Sequence, residues 1–216
     1  RSVTYSMPAP LANRFIHFEL EADIDDWAQW AYRKGIDSRI IGFLKYQPAQ
    51  LFDFKPSSNM TAFPTPRSWE FADRLIKTFN GSDESLIHIK AAVGAGAATD
   101  LRSFMQHAAK LPPIAEILDG KNPKIPKELN LQYALACSLV SALLGLDYGN
   151  AIKAGTESKK AQNVLNYAEG LGSEIGAMLF IDFQRAMPGE STATLAGVPE
   201  FSRWFLRTLG KLITLH

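Results

Sequence analysis

Asp23-Ile-Asp-Asp-Trp27-Ala28-Gln-Trp-Ala31-Tyr-Arg-Lys-Gly35 is the stretch at which the chain turns helical. Asp23 has the short acceptor side chain that an N-cap requires, and Asp25 and Asp26 put negative charge at the positive end of the helix dipole. Ile24, Trp27, Ala28 and Ala31 fall on one apolar stripe, and Gly35 is a natural stop. Everything beyond reads the same way. A second helix is predicted from about Ser38 to Tyr46, stopping near Pro48. Residues 52–64, rich in Ser, Pro and Asn, form a loop. A third helix starts at Thr65-Pro66, with Thr as N-cap and Pro at the first helical position, and ends before Gly81. It carries Trp69, Ala72, Leu75 and Ile76 on one face. A long helical pattern from Glu84 to Lys110 is interrupted at Gly94 and Gly96, and helices follow at 114–118, 129–146, 157–186 and 198–214. The last has a clean apolar face of Phe201, Trp204, Phe205, Leu209, Leu212 and Ile213.

Upstream of Asp23 the pattern changes. Met7-Pro-Ala-Pro10 is a turn or helix entrance, and residues 11–15 form a helical turn. Residues 16–20, Ile-His-Phe-Glu-Leu, alternate apolar and polar side chains at the period of a half-buried strand. A lone strand has no partner for its backbone groups, so its neighbours are expected upstream of Arg1, in a chain entered in mid-fold. The fold class expected is mainly α: a helical lid bundle with a C-terminal helical extension, preceded by a short strand-containing remnant of an α/β domain. The divisions are 1–22, 23–111 and 112–216. The boundary near 112 is a connector in which residues 112–129 hold five prolines or glycines. The second helical unit either stands apart or packs onto the first.

Composition narrows the function. Of 216 residues, 46% are apolar and 21% charged, as in ordinary globular chains. Twenty-three basic residues face 22 acidic ones, for a net charge of +1, so the clustered positive field that nucleic acid or an anionic membrane needs is missing. Cys137 is the single cysteine, which fits a reducing, cytoplasmic setting, and its apolar surroundings read as the core of a buried helix. No apolar stretch there approaches the roughly 18–20 residues of a membrane span. His17, His88, His107 and His216 share no metal-ligand spacing with one another or with Cys137, so no metal site is expected. Gly94-Ala-Gly96 lacks both a third glycine and a Gly-Lys-Ser/Thr ending, and reads as a helix break or a close helix contact rather than a phosphate loop.

Two arginines stand out. Arg14 lies between Asn13 and Phe15, just ahead of the expected strand. Arg67 takes the second position of a helix, after Phe63-Pro-Thr-Pro66, where a positive charge is mildly disfavoured by the dipole. An arginine there has a use, because guanidinium and free backbone N–H groups then point at one anion. The plain alternative is a surface arginine at a helix start.

Met7-Pro-Ala-Pro-Leu-Ala-Asn-Arg-Phe15, then Asp25-Asp-Trp27, then Ala62-Phe-Pro-Thr-Pro-Arg-Ser-Trp-Glu70, taken in this order and spacing, resembles a bacterial and phage branch of the MoxR-type AAA+ ATPases. The resemblance is specific over residues 1–75 and fades to a general helical likeness beyond about residue 110. It implies that residues 1–22 end the nucleotide-binding α/β domain and residues 23–111 are its helical lid. Arg14 would then be the arginine finger, reaching the γ-phosphate bound by a neighbouring subunit, and Arg67 the second-sensor arginine, contacting nucleotide in its own subunit. Asn13 either orients Arg14 or caps a helix. The resemblance further implies ATP and Mg2+ as ligands of the intact protein, a ring, expected as a hexamer, and chaperone-like remodelling of a client. A partner with a von Willebrand factor A domain is implied by resemblance alone. The phosphate-binding loop, the acidic metal-binding strand and the first sensor would all lie upstream, so the chain by itself is expected to hydrolyse no ATP and to hold no cofactor. Residues 112–216 would complete the lid, contact a neighbour or bind the client. The rival expectation is a non-enzymatic, all-helical adaptor module.

Overall fold

The computed structural model describes residues 7–54, 61–79, 83–146 and 156–187. Three stretches of polar punctuation and one glycine geometry set its helices. Asp23 accepts hydrogen bonds from the Asp25 and Asp26 N–H groups at 2.8 and 2.9 Å, which starts α2 at Ile24–Lys34. Asp37 accepts from Arg39 N–H at 2.9 Å and starts α3 at Ser38–Tyr46. A single 3-10 turn, Pro48–Leu51, follows. Thr65 starts α4, Pro66–Thr78, with a full capping box: its hydroxyl accepts from Ser68 N–H at 3.0 Å while its own N–H donates to the Ser68 hydroxyl at 2.7 Å. Ahead of α2 lies a four-residue turn of helix, α1 (Ala9–Ala12).

The predicted pattern over 84–110 divides into α5 (Asp83–Val93) and α6 (Ala95–Ala108), and the pattern over 157–186 into α9 (Thr156–Ala168) and α10 (Ser173–Ala186). Both divisions have one cause. Gly94 and Gly172 take nearly the same conformation, φ 86° and 84° with ψ 162°, which side chains other than glycine scarcely reach. The first break was legible from Gly94. The second was not, because the apolar period runs on through Gly172 and a 3-10 turn, Glu169–Leu171, only slightly offsets it. Between these pairs stand α7 (Ile114–Leu118) and α8 (Leu129–Leu144). The amphipathic pattern at 198–214 lies outside the described residues.

The fold class is mainly α. The expected strand at 16–20 does not form: the segment carries no regular secondary structure, and among the described residues no strand is present to pair with it. Its alternation is correct for a sheet, yet an alternating sequence pairs only where a second extended backbone offers its N–H and C=O groups. Ile16, Phe18 and Leu20 stay 83%, 81% and 95% exposed.

α3 and α8 form the centre. Ile40, Ile41, Phe43 and Leu44 of α3 are buried, as are Ala134, Leu135, Ala136, Cys137, Leu139, Val140 and Leu143 of α8. Their backbones meet at Gly42, where a Cβ would stand 3.0 Å from the Ala134 Cα, so a side chain there would force the two helices apart by a few tenths of an ångström. Phe43 wedges between Trp69 of α4 and Phe104 of α6, with ring centroids 5.6 and 5.7 Å away. α5 packs on α4 and α6, α9 packs on α7 and α8, and α10 lies across α8 and α2. One apolar core thus runs from α2 to α10. No helix among the described residues is long and apolar enough to cross a membrane.

Candidate functional site

The helix α4 is held rigidly before it presents anything. Trp69 is fully buried and donates its indole N–H to Gln50 C=O at 2.8 Å. Trp27 of α2 donates its indole N–H to Pro66 C=O at 3.3 Å. Asp73, also buried, accepts from Asp37 N–H at 2.8 Å and from Lys77 Nζ at 2.7 Å. Lys77 reaches on to Gly35 C=O at 2.6 Å. Asp37 itself is part of this node. Burial pushes its carboxyl up, but the bonds and charge of Arg39 prevail and hold it below the usual range.

On this support, Arg67 projects from the second position of α4 and is exposed. Four groups decide what its end of the helix offers. Pro66 has no N–H, Ser68 N–H is taken by Thr65, and Trp69 N–H bonds Thr65 C=O at 3.1 Å. That leaves the Arg67 N–H as the first-turn donor with no acceptor among the described residues, on the same residue as the guanidinium. Beside it opens a groove of about 480 Å³ with an apolar lining of Leu20, Ala22, Pro48, Ala49, Phe52 and Pro66, and one acid, Glu21. Arg67 thus follows directly on Pro66, which lines this trough, and is itself exposed.

Arg14 sits elsewhere. It closes the turn after α1, its N–H bonding Leu11 C=O at 3.0 Å, and its side chain is exposed. Asn13 is the C-cap of α1 and donates its backbone N–H to Ala9 C=O at 3.0 Å. No contact joins Arg14 to Arg67 among the described residues, so the two arginines predicted from sequence do not form one site within one chain.

A second constellation escaped the sequence reading. Lys45 of α3 is buried, and its Nζ donates to Asp25 Oδ1 of α2 at 2.6 Å and to Asp182 Oδ1 of α10 at 2.7 Å. The Tyr32 hydroxyl donates to Asp182 Oδ2 at 3.4 Å. Arg185 approaches Asp25 at 3.8 Å from the outer side. The Lys45 and Asp182 side chains are only 5% and 4% exposed, whereas Asp25 is 52% exposed. Burial alone would lower the Lys45 ammonium, but the Asp182 and Asp25 carboxylates hold it charged, above its usual value. Burial pushes the Asp182 carboxyl up against the pull of Lys45. The hydrogen bond from Lys45 keeps Asp25 low. Cys137, fully buried beside Tyr32, has its thiol pushed up to about 12 by burial and then by the Asp182 charge.

This cluster does not suit catalysis. Its lysine is charged, paired twice and closed to solvent, so it can neither attack nor take a proton at neutral pH. Its signal in the sequence was a lysine directly after the apolar run Ile40-Ile-Gly-Phe-Leu44 of α3, and a lone acid inside Leu179-Phe-Ile-Asp-Phe183. Opposite charges, each set in an apolar helical stretch, mark a buried pair. Among the described residues, no three His, Cys, Asp or Glu side chains are grouped to hold a metal ion. The chain matches no protein-family model, no curated protein and no solved structure.

Proposed function

We propose that the chain is the lid and C-terminal extension of a cytoplasmic AAA+ ATPase of the MoxR type, which binds and hydrolyses ATP to remodel partner proteins. The observation that carries this reading is the start of α4: an exposed arginine whose N–H has no acceptor among the described residues, next in the chain to Pro66, which lines an apolar groove. A nucleotide offers the matching chemistry, a flat, largely apolar base for the trough and anionic phosphates for the guanidinium and helix end. The alternating segment 16–20, with Ile16, Phe18 and Leu20 exposed, supports the same reading, because an edge strand taken from its sheet would leave its apolar side chains uncovered in this way. In this reading residues 1–22 close the α/β domain, residues 23–111 are the lid and residues 112–216 the extension.

Arg67 acts as the second sensor. It holds nucleotide to the lid, so that loss of the γ-phosphate is felt as lid movement. Arg14 acts in trans as the finger on a neighbour's γ-phosphate, where a permanently charged planar group stabilises the charge spread in the transition state. The ATP phosphates and Mg2+ are held chiefly by elements outside this chain, and the ring is a hexamer. A partner with a von Willebrand factor A domain remains a proposal of the same resemblance.

The test is direct. The coding sequence upstream of Arg1 is read, and the protein is purified from its natural start. The expected result is a Gly-x-x-x-x-Gly-Lys-Ser/Thr loop upstream and magnesium-dependent ATP turnover by the longer protein, with none by residues 1–216 alone. A start codon directly ahead of Arg1, or turnover by the 216-residue chain, sinks the reading. The first of these favours a helical adaptor.

A further inference from the structure

Helix α10 is attached to the rest of the molecule in two unequal ways. Ile175, Leu179, Phe180, Phe183 and Ala186 bury an apolar face on α8 and α2. Apolar helix packing of this kind has near-equivalent neighbours, because a slip of one turn, about 5.4 Å, replaces one large apolar residue by another. Leu179 would take the place of Phe183, and Ile175 that of Leu179. The charge pair has no such neighbour. Three or four residues either side of Asp182 stand Met178, Leu179, Arg185 and Ala186. Any of them opposite Lys45 would leave the buried Asp182 carboxylate without its cation and Lys45 with Asp25 alone, or bring like charges together. Buried ion pairs are poor glue, but they select between alternatives that apolar packing cannot tell apart.

A second set of bonds agrees with the same register. The last carbonyls of α10 have no partners within the helix, and α2 supplies them. Gln29 Nε2 donates to Arg185 C=O at 2.8 Å, Arg33 Nη2 donates to the same oxygen at 2.7 Å, and Arg33 Nε donates to Ala186 C=O at 3.2 Å. A slip of one turn would break all three. Since α2 and α3 both contribute, the end of α10 is fixed against the two helices that also support α4 through Trp27 and Asp37.

We infer that the Lys45–Asp182 pair is a register key that locks α10 to α2 and α3. This holds whether or not the chain serves an ATPase.

The experiment compares the whole 216-residue chain with its double variant Lys45→Met/Asp182→Leu, which removes both charges and so leaves neither buried alone. Methyl NMR of Ile175 and Leu179 is recorded together with amide hydrogen exchange along α10. The expected result is a variant that melts no lower than the parent, yet shows split or broadened methyl signals and exchanges its α10 amides at least tenfold faster, with α4 to α6 unchanged. One sharp set of methyl signals together with parental exchange would overturn the key. Faster exchange spread equally over all helices would overturn it too, because that is a general loss of stability and not a loss of register. Arg33→Ala serves as a second probe: it should speed exchange in the last turn of α10 alone, without splitting the methyl signals.

Discussion

Lys45 and Arg67 are both cations on well-ordered helices, and the protein treats them in opposite ways. Lys45 is enclosed by two carboxylates, each within hydrogen-bond distance, and reaches solvent hardly at all. Arg67 stands open at a helix end, on a scaffold whose every other polar group is already satisfied by Thr65, Ser68, Trp27 or Asp73. The difference separates what holds the fold from what is left over for a ligand. A charge whose partners come from two other helices is committed to structure. A charge that the structure supports but does not pair is available for an anion.

The largest effect expected tests the open side of this contrast. If the proposed ATPase reading holds, Arg14→Ala in the intact protein should reduce ATP turnover by about 10³–10⁵, the range an arginine finger supplies. Arg67→Ala should also cut turnover strongly. Neither should move the melting temperature much, since an exposed side chain away from caps and cores contributes within about 0.5 kcal/mol. Steady-state turnover and thermal melts of the two variants decide the matter. Parental rates from both would show that the open arginines have no catalytic part.

The closed side is tested by Lys45→Met in the 216-residue chain. Removing one partner of a buried pair leaves Asp182 uncompensated, and about 3–5 kcal/mol of stability should be lost at pH 7. Asp182 can relieve this by taking a proton, and burial already raises its pKa. The loss should therefore shrink as pH falls toward 5, and urea melts at both pH values measure it. A loss below about 1 kcal/mol at pH 7 would mean that Lys45 is not closed in as described.

Next in size is a dependence on alkali. Burial pushes the Cys137 thiol up to about 12 in the folded chain, from an ordinary value of 9.0. A pKa raised by folding gives stability that is complete below the unfolded value and is lost as pH climbs toward the folded one. Each pH unit in that window should remove about 1.4 kcal/mol through this thiol. Tyr32 and Lys45, both raised and both beside Asp182, act in the same direction at higher pH. Denaturant midpoints between pH 9 and 11 should fall steeply in the parent and less steeply in Cys137→Ala. Equal slopes would show a solvated thiol.

The sequence carried most of the helices, because their punctuation is local. Asp23, Thr65-Pro66 and Gly94 each act within four residues, and the structure uses each as a cap or a break. Arg67 was legible for the same reason, since its oddness is a matter of one helix start. Lys45 was not, because Asp25 is 20 residues away and Asp182 is 137 away, and no local rule says which lone acid meets which lone lysine. Gly172 was missed because an unbroken apolar period hid it. The strand at 16–20 shows the opposite failure: its local pattern is right, and its outcome depends on a partner that the pattern cannot supply.

The smallest effect expected is the one that separates the two roles within a single helix start. Thr65→Ala removes the acceptor for Ser68 N–H and should lower stability by about 1 kcal/mol, as lost caps generally do. It leaves Arg67 and the groove lining in place. In the intact ring its turnover should therefore stay well above that of Arg67→Ala, although its melting temperature falls further. The opposite ranking, with turnover lost and stability kept, would mean that the Thr65 hydroxyl faces the ligand and not the helix. The contrast between satisfied and open groups at the start of α4 would then have to be redrawn, with Thr65 moved to the open side.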